Sequence, residues 1–211
     1  MLDAAELARK VARSLDLHSY AARYRELNEG TERERILGDG SAKHQHSGDR
    51  IRARGYLLKQ ELGEIASWKS PRSKKLIHSN LPMEVEEISR AAFQLADSAR
   101  HRPSIPASVL CILRGVHLPT ASAVLMVWDP EDFGVLDIRA WSTLAEVLGP
   151  APFRALRRKS YQRAFESSDY DLYLAVVRQL SRLTGLTCRE VDMALYVYWD
   201  RETRGGNLYV G

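Results

Sequence analysis

Apolar residues recur at helical intervals along nearly the whole chain, and the alternation expected of half-buried strands is sparse. AAELARKVARSL sets Leu7, Val11 and Leu15 four residues apart on one face of a first helix, and HSYAARYRELN reads as a second, ended by Asn28-Glu29-Gly30. GDGSAKHQHSGD (38–49) is polar and glycine-rich and reads as a loop. YLLKQELGEIASWKS carries Leu57, Leu58, Leu62, Ile65 and Trp68 on one stripe before Pro71 breaks it. Asn80-Leu81-Pro82 separates it from MEVEEISRAAFQLADSAR, whose early acids Glu84, Glu86 and Glu87 suit the positive end of a helix dipole. Further helices are expected from Ser104 to Leu113, over TASAVLMVW up to Asp129-Pro130, and from near Asp137 after the apolar run Phe133 to Leu136. YDLYLAVVRQLSRLTG and TCREVDMALYVYWD complete the set, with Thr187 and Glu190 spaced as a capping box.

This pattern predicts an all-α chain of roughly eight to ten short helices. Three spans organise it: N-terminal helices and a polar loop over 1–50, the main helical domain over 51–205, and a tail over 206–211.

Composition narrows the function without fixing it. The 211 residues are 45% hydrophobic and 27% charged, ordinary values for a globular chain with a sizeable core. No run is long and apolar enough to suggest a membrane span or leader, so the expected location is cytoplasmic. Two cysteines, Cys111 and Cys188, are too few for a four-thiolate cluster, and Cys111 sits in an apolar run as a buried thiol would. His44 and His46 alternate in the polar loop, but no further ligand pattern accompanies them, and no metal site is expected. The formal charge of +4 permits a polyanionic partner. Cations gather in SWKSPRSKKLIH (Lys69, Arg72, Lys74, Lys75) and in FRALRRKSYQR (Arg154, Arg157, Arg158, Lys159, Arg163), although such runs also serve as solvated helix faces.

LRGVHLPTASAVL (113–125) carries more information. Gly115 stands where a first helix must end in a left-handed residue. Pro119 stands at the start of a second helix, where its missing N–H does no harm. Val116 is placed to tuck inward between the two helix ends. Backbone amides near 116–122 then point off the second helix, and with its dipole they suit an anion. The small residues Thr120, Ala121, Ser122 and Ala123 leave room for another backbone. A plain helical corner fits the same glycine–proline punctuation.

Eighteen residues beyond Pro119 comes Asp137, at the start of the next helix. Here the chain resembles the helix–hairpin–helix DNA glycosylase superfamily, whose motif L-x-G-V-G-x-x-x-A is followed by an aspartate at about this distance. Leu113, Gly115, Val116, Ala121 and Asp137 match the motif, and Pro130 and Val135 fit the segment between. The resemblance is close over about 105–145. It implies a two-lobed orthogonal helical bundle, a hairpin that grips DNA phosphate through residues 114–120 (Arg114, Gly115, Val116, His117, Leu118, Thr120), and a monovalent cation at the hairpin as the one ion involved. Two departures stand out. The second hairpin glycine is replaced by His117, whose side chain can itself donate to phosphate. Strand-cleaving members carry a lysine where this chain has Pro119, so the resemblance implies a monofunctional enzyme that hydrolyses the N-glycosidic bond of a damaged, modified or mismatched base.

That chemistry passes through an oxocarbenium-like sugar, which a nearby carboxylate stabilises while it positions or deprotonates a water. Asp137, ionised at a helix start, is the candidate catalytic residue; the same aspartate also fits a simple N-cap. A base flipped out of the stack needs an apolar pocket, for which Trp68 and Trp141 are candidates. Lys69 and Arg72, just past a helix end, are candidates for contact with DNA, with Lys69 also a candidate amine nucleophile. Arg157 and Arg158 suit flanking phosphates. The expected working form is a monomer on DNA. A DNA-binding module without chemistry, and a helical adaptor for an acidic protein, are the competing readings.

Overall fold

The structure is a computed structural model that describes residues 3–28, 46–149, 151–153 and 165–200. Every regular element among them is helical. The eleven α-helices are α1 (Ala4–Ser14), α2 (Leu17–Asn28), α3 (His46–Arg54), α4 (Lys59–Lys69), α5 (Lys74–His78), α6 (Pro82–Ser98), α7 (Ser104–Leu110), α8 (Leu118–Trp128), α9 (Ile138–Leu148), α10 (Ser167–Thr184) and α11 (Cys188–Tyr198). A 3-10 turn, Pro71–Ser73, joins α4 to α5.

α8 is the hub. Its residues from Thr120 to Trp128 are all buried, as its all-round apolar sequence requires. Helices α3, α4 and α7 pack directly around it. α3 closes its C-terminal end: Arg52 donates through Nε and Nη2 to the Trp128 carbonyl at 3.0 and 2.9 Å and pairs with Asp129 at 2.9 Å. Those orphan carbonyls at a helix end need such donors. His46–Arg54 therefore corrects the expected loop over 38–49, whose last four residues are helical; residues 38–45 lie outside the described ones.

The N-terminal helices belong to the same body. α1 packs on α10 and α9, and α2 on α11. Leu7, Val11 and Leu15 share one continuous core with Leu110, Val124 and Leu195. Thr187 and Glu190 form the expected capping box of α11: the Thr187 hydroxyl accepts from the Glu190 amide at 3.1 Å, and the Glu190 carboxylate from the Thr187 amide at 2.8 Å. Ser104–Leu110 stops three residues short of the expected end at Leu113, because residues 111–115 turn progressively toward Gly115. Among the described residues no helix is long and apolar enough to cross a membrane.

Candidate functional site

Asp137 ends a stretch without regular secondary structure, residues 133–137, that side chains from three helices hold in place. The Leu136 amide donates to the Ser122 hydroxyl of α8 at 2.9 Å, and that hydroxyl donates to the Pro119 carbonyl at 3.0 Å. The Val135 amide donates to Oδ2 of Asp192 on α11 at 2.9 Å, and Tyr170 on α10 donates to the Gly134 carbonyl. Gly134 permits this approach, since a Cβ there would stand 3.3 Å from the Cys188 carbonyl oxygen. Of the small residues expected to leave room for another backbone, Ser122 meets the chain's own segment leading into Asp137.

Asp137 itself caps α9, accepting the Arg139 amide on Oδ1 at 2.9 Å. Its other oxygen, Oδ2, lies 2.5 Å from the Lys69 ammonium at the end of α4. The two side chains are 23% and 10% exposed, so the pair is largely screened from water yet reachable from it. Burial alone would push the Asp137 carboxyl up. The Lys69 charge and hydrogen bond, with the Arg139 amide and guanidinium, outweigh it and hold the group below the usual carboxylate range. Asp137 is therefore an anion at neutral pH.

A second carboxylate lies behind the first. Asp192 is 3% exposed, accepts Arg189 Nη1 at 2.7 Å, and is pushed up to about 6 by burial against the opposing pull of Arg189, the Val135 amide and Lys69. Arg189 also donates to the Tyr24 hydroxyl at 3.1 Å and faces the Trp68 ring at 5.7 Å. Tyr173 is fully buried, its hydroxyl has no hydrogen-bond partner among the described residues, and burial together with the fields of Asp192 and Asp137 raises its pKa far above the ordinary range. Buried charges are costly, and two carboxylates, two cations and an unsatisfied phenol in one neighbourhood make it the candidate site of this chain.

The turn between α7 and α8 is built from both sides. Gly115 has φ +79°, the left-handed conformation that glycine adopts without steric cost. It is also pressed against α5, where an added Cβ would meet the Leu76 Cβ at 2.8 Å and the Ile77 amide nitrogen at 3.1 Å. Asn80 clamps the neighbouring residue: its carbonyl oxygen accepts the Arg114 amide at 2.8 Å and its amide donates to the Arg114 carbonyl at 3.0 Å. Val116 is buried, 2% exposed. The Val116 amide turns back to the Leu113 carbonyl and those of Thr120 and Ala121 to the His117 carbonyl, so fewer amides are open than the expected 116–122. Among the described residues those of Gly115, His117 and Leu118 donate no hydrogen bond. Gly115 rests on Leu76 and Ile77 of α5, a helix that also carries exposed Lys74, Lys75 and His78; Arg72, in the 3-10 turn before it, and Arg114 are exposed as well.

The remaining expected residues fall in three groups. Lys69 and Trp68 stand beside the Asp137 neighbourhood, Trp68 half-buried and facing Arg189. Trp141 is 1% exposed and packs edge-on against Phe153 and Phe165, as a core residue does. Thr120 is likewise buried, 2% exposed, which leaves its backbone rather than its hydroxyl facing the turn. Arg157 and Arg158 lie outside the described residues. Cys111 is half-buried rather than fully buried, and burial still pushes its thiol up to about 11. The sequence pattern gives no functional signal for Asn80, Tyr173, Arg189 or Asp192, and marks Ser122 only as small; Arg189 and Asp192, three apart on a helix, look in sequence like an ordinary surface pair. Comparison with protein-family models, with curated proteins and with solved structures gave no match.

Proposed function

We propose that the protein grips DNA through the 114–120 turn and removes a damaged, modified or mismatched base by hydrolysing its N-glycosidic bond at Asp137. The observation that carries this reading is the Ser122 hydroxyl, which bonds both the Pro119 carbonyl of the turn and the Leu136 amide beside Asp137. One short linkage thus couples an anion-seeking turn to an ionised, half-buried carboxylate. A helix–hairpin–helix in a two-lobed helical bundle is the architecture that goes with this reading.

In the proposed reaction the C1′–N bond breaks and its electron pair leaves with the base. The sugar becomes oxocarbenium-like, and Asp137 offsets that charge from a site that water screens poorly. Water then adds at C1′ and gives up a proton to Asp137, leaving an abasic site. Phosphate contacts at the open turn amides and at Arg72, Lys74, Lys75 and Arg114 position the duplex without reading sequence. No step runs through a monovalent cation.

The Lys69–Asp137 contact favours a second reading, in which the Lys69 amine passes its proton to Asp137, attacks C1′ and displaces the base, so that strand cleavage follows. A screen of the protein against oligonucleotides bearing a panel of modified bases, followed by alkali, tests the proposal; an alkali-labile product from at least one supports it. Borohydride added during turnover separates the two routes, since only amine attack leaves the protein covalently on DNA. Salt-sensitive DNA binding with no product from any substrate would favour a module without chemistry.

A further inference from the structure

Asn80 stands between α5 and α6 and is 2% exposed, yet its side chain reaches the turn that the proposed function assigns to DNA. Oδ1 accepts the Arg114 amide at 2.8 Å, and Nδ2 donates to the Arg114 carbonyl at 3.0 Å and to the Ile77 carbonyl at 2.9 Å. The Asn80 backbone amide also donates to the Ile77 carbonyl, at 3.2 Å. One residue of the turn is thus held at both of its peptide groups, by a side chain that is itself tied to α5. We propose that Asn80 is a positioning residue for phosphate contact, acting by turning the Gly115 amide outward to the DNA backbone. The inference deepens the proposed function and rests on its DNA grip, not on the chemistry at Asp137.

The geometry follows from the peptide plane. The bond between Arg114 and Gly115 is trans, so its carbonyl and its N–H point in opposite directions. Asn80 draws the carbonyl toward itself, and the Gly115 N–H on the far edge of the same plane is therefore aimed away from the clamp. Gly115 is half-buried, and its amide donates no hydrogen bond among the described residues. The amides on either side are already used, that of Arg114 on Asn80 and that of Val116 on the Leu113 carbonyl at 3.1 Å. A donor held in place meets an anion without first losing conformational freedom, and its bond to a charged acceptor is of the stronger kind. The side-chain chemistry is specific. Aspartate lacks a donor for the Arg114 carbonyl, and a single hydroxyl cannot donate to the Arg114 and Ile77 carbonyls together. The exposed Arg114 guanidinium departs from the same clamped residue.

The test is amide NMR of the 15N-labelled full chain, titrated at low salt with an unmodified DNA duplex. In the free wild-type protein the Arg114 amide should be protected from solvent exchange at least about tenfold more than that of Gly115, each relative to its unfolded-chain rate. On adding DNA, the Gly115 amide proton should move downfield and become protected. Asn80→Ala frees the peptide plane. In the folded variant the Gly115 response should fall by at least about half and the dissociation constant rise at least about threefold. A residue that only packs would leave the folded variant with the wild-type Gly115 response, and that result overturns the proposal. Equal protection of Arg114 and Gly115 in wild type overturns it too, and that measurement does not require the variant to fold. Wild-type binding that leaves the Gly115 signal unmoved defeats this inference alone; no binding of wild type to the duplex even at low salt defeats the DNA reading with it.

Discussion

The Lys69 ammonium sits 2.5 Å from the Asp137 carboxylate although 68 residues separate them in sequence. The end of α4 and the start of α9 are thereby pinned to each other. Lys69→Met removes the partner that does most to keep Asp137 ionised. With side chains 10% and 23% exposed, the pair sits between surface and fully buried cases, and the variant is expected to lose about 2 kcal/mol at pH 7. Asp137 in the folded chain is held below its unfolded value, so its contribution is present above about pH 4 and fades as pH falls further. The gap between wild type and variant in urea unfolding should accordingly be widest near neutrality and narrow below pH 4. A gap that does not depend on pH would contradict the ion-pair assignment.

Gly115 combines a left-handed φ with contact against α5, so Gly115→Ala carries both backbone strain and a clash with a backbone atom. The expected loss is about 3 kcal/mol, measured by denaturant unfolding. Loss of a few tenths only would mean that α5 does not rest on the turn.

Asp192 titrates near 6 in the folded chain, above its unfolded value. A group raised in this way binds more protons folded than unfolded between those values, so its contribution to stability is complete at about pH 4 and is lost as pH rises to about 6. Subtracting the stability curve of Asp192→Asn from that of wild type should leave a difference that declines through this window. A flat difference would show that the carboxyl is ionised throughout.

In the proposed function the exposed cations on and just before α5, the helix that rests on Gly115, contact phosphate. Arg72→Ala/Lys74→Ala/Lys75→Ala should weaken binding to duplex DNA and reduce the slope of log K against log salt by about 2 to 3, near 0.9 for each phosphate that is no longer neutralised. An unchanged slope would remove these side chains from the interface.

Helix content was legible because 3.6-residue periodicity, Pro71, Pro82, Pro119 and the Thr187–Glu190 box are local signals that tertiary packing did not overrule. α3 was not legible, since HSGDRIRAR is polar and holds a glycine; it forms against the end of α8, where Arg52 finds the Trp128 carbonyl. Asp137 and Gly115 stood out through spacing along the chain. The partnership of Lys69 with Asp137, the Asn80 clamp on Arg114 and the burial of the Asp192–Arg189 pair depend on elements meeting in space, which the residues around them do not encode. Trp141 shows the limit of a local signal: size and aromaticity suit a pocket wall and a core equally, and its 1% exposure follows from packing that its neighbours in sequence do not encode.

The most direct measurement compares wild type with Asp137→Asn on a DNA duplex carrying a base that the wild-type protein releases. Asparagine keeps the cap on the Arg139 amide but cannot offset a positive sugar or take a proton from water. Single-turnover release should fall by at least about a hundredfold while the dissociation constant for DNA changes by less than about threefold. Equal release by the two proteins would contradict the assignment of Asp137.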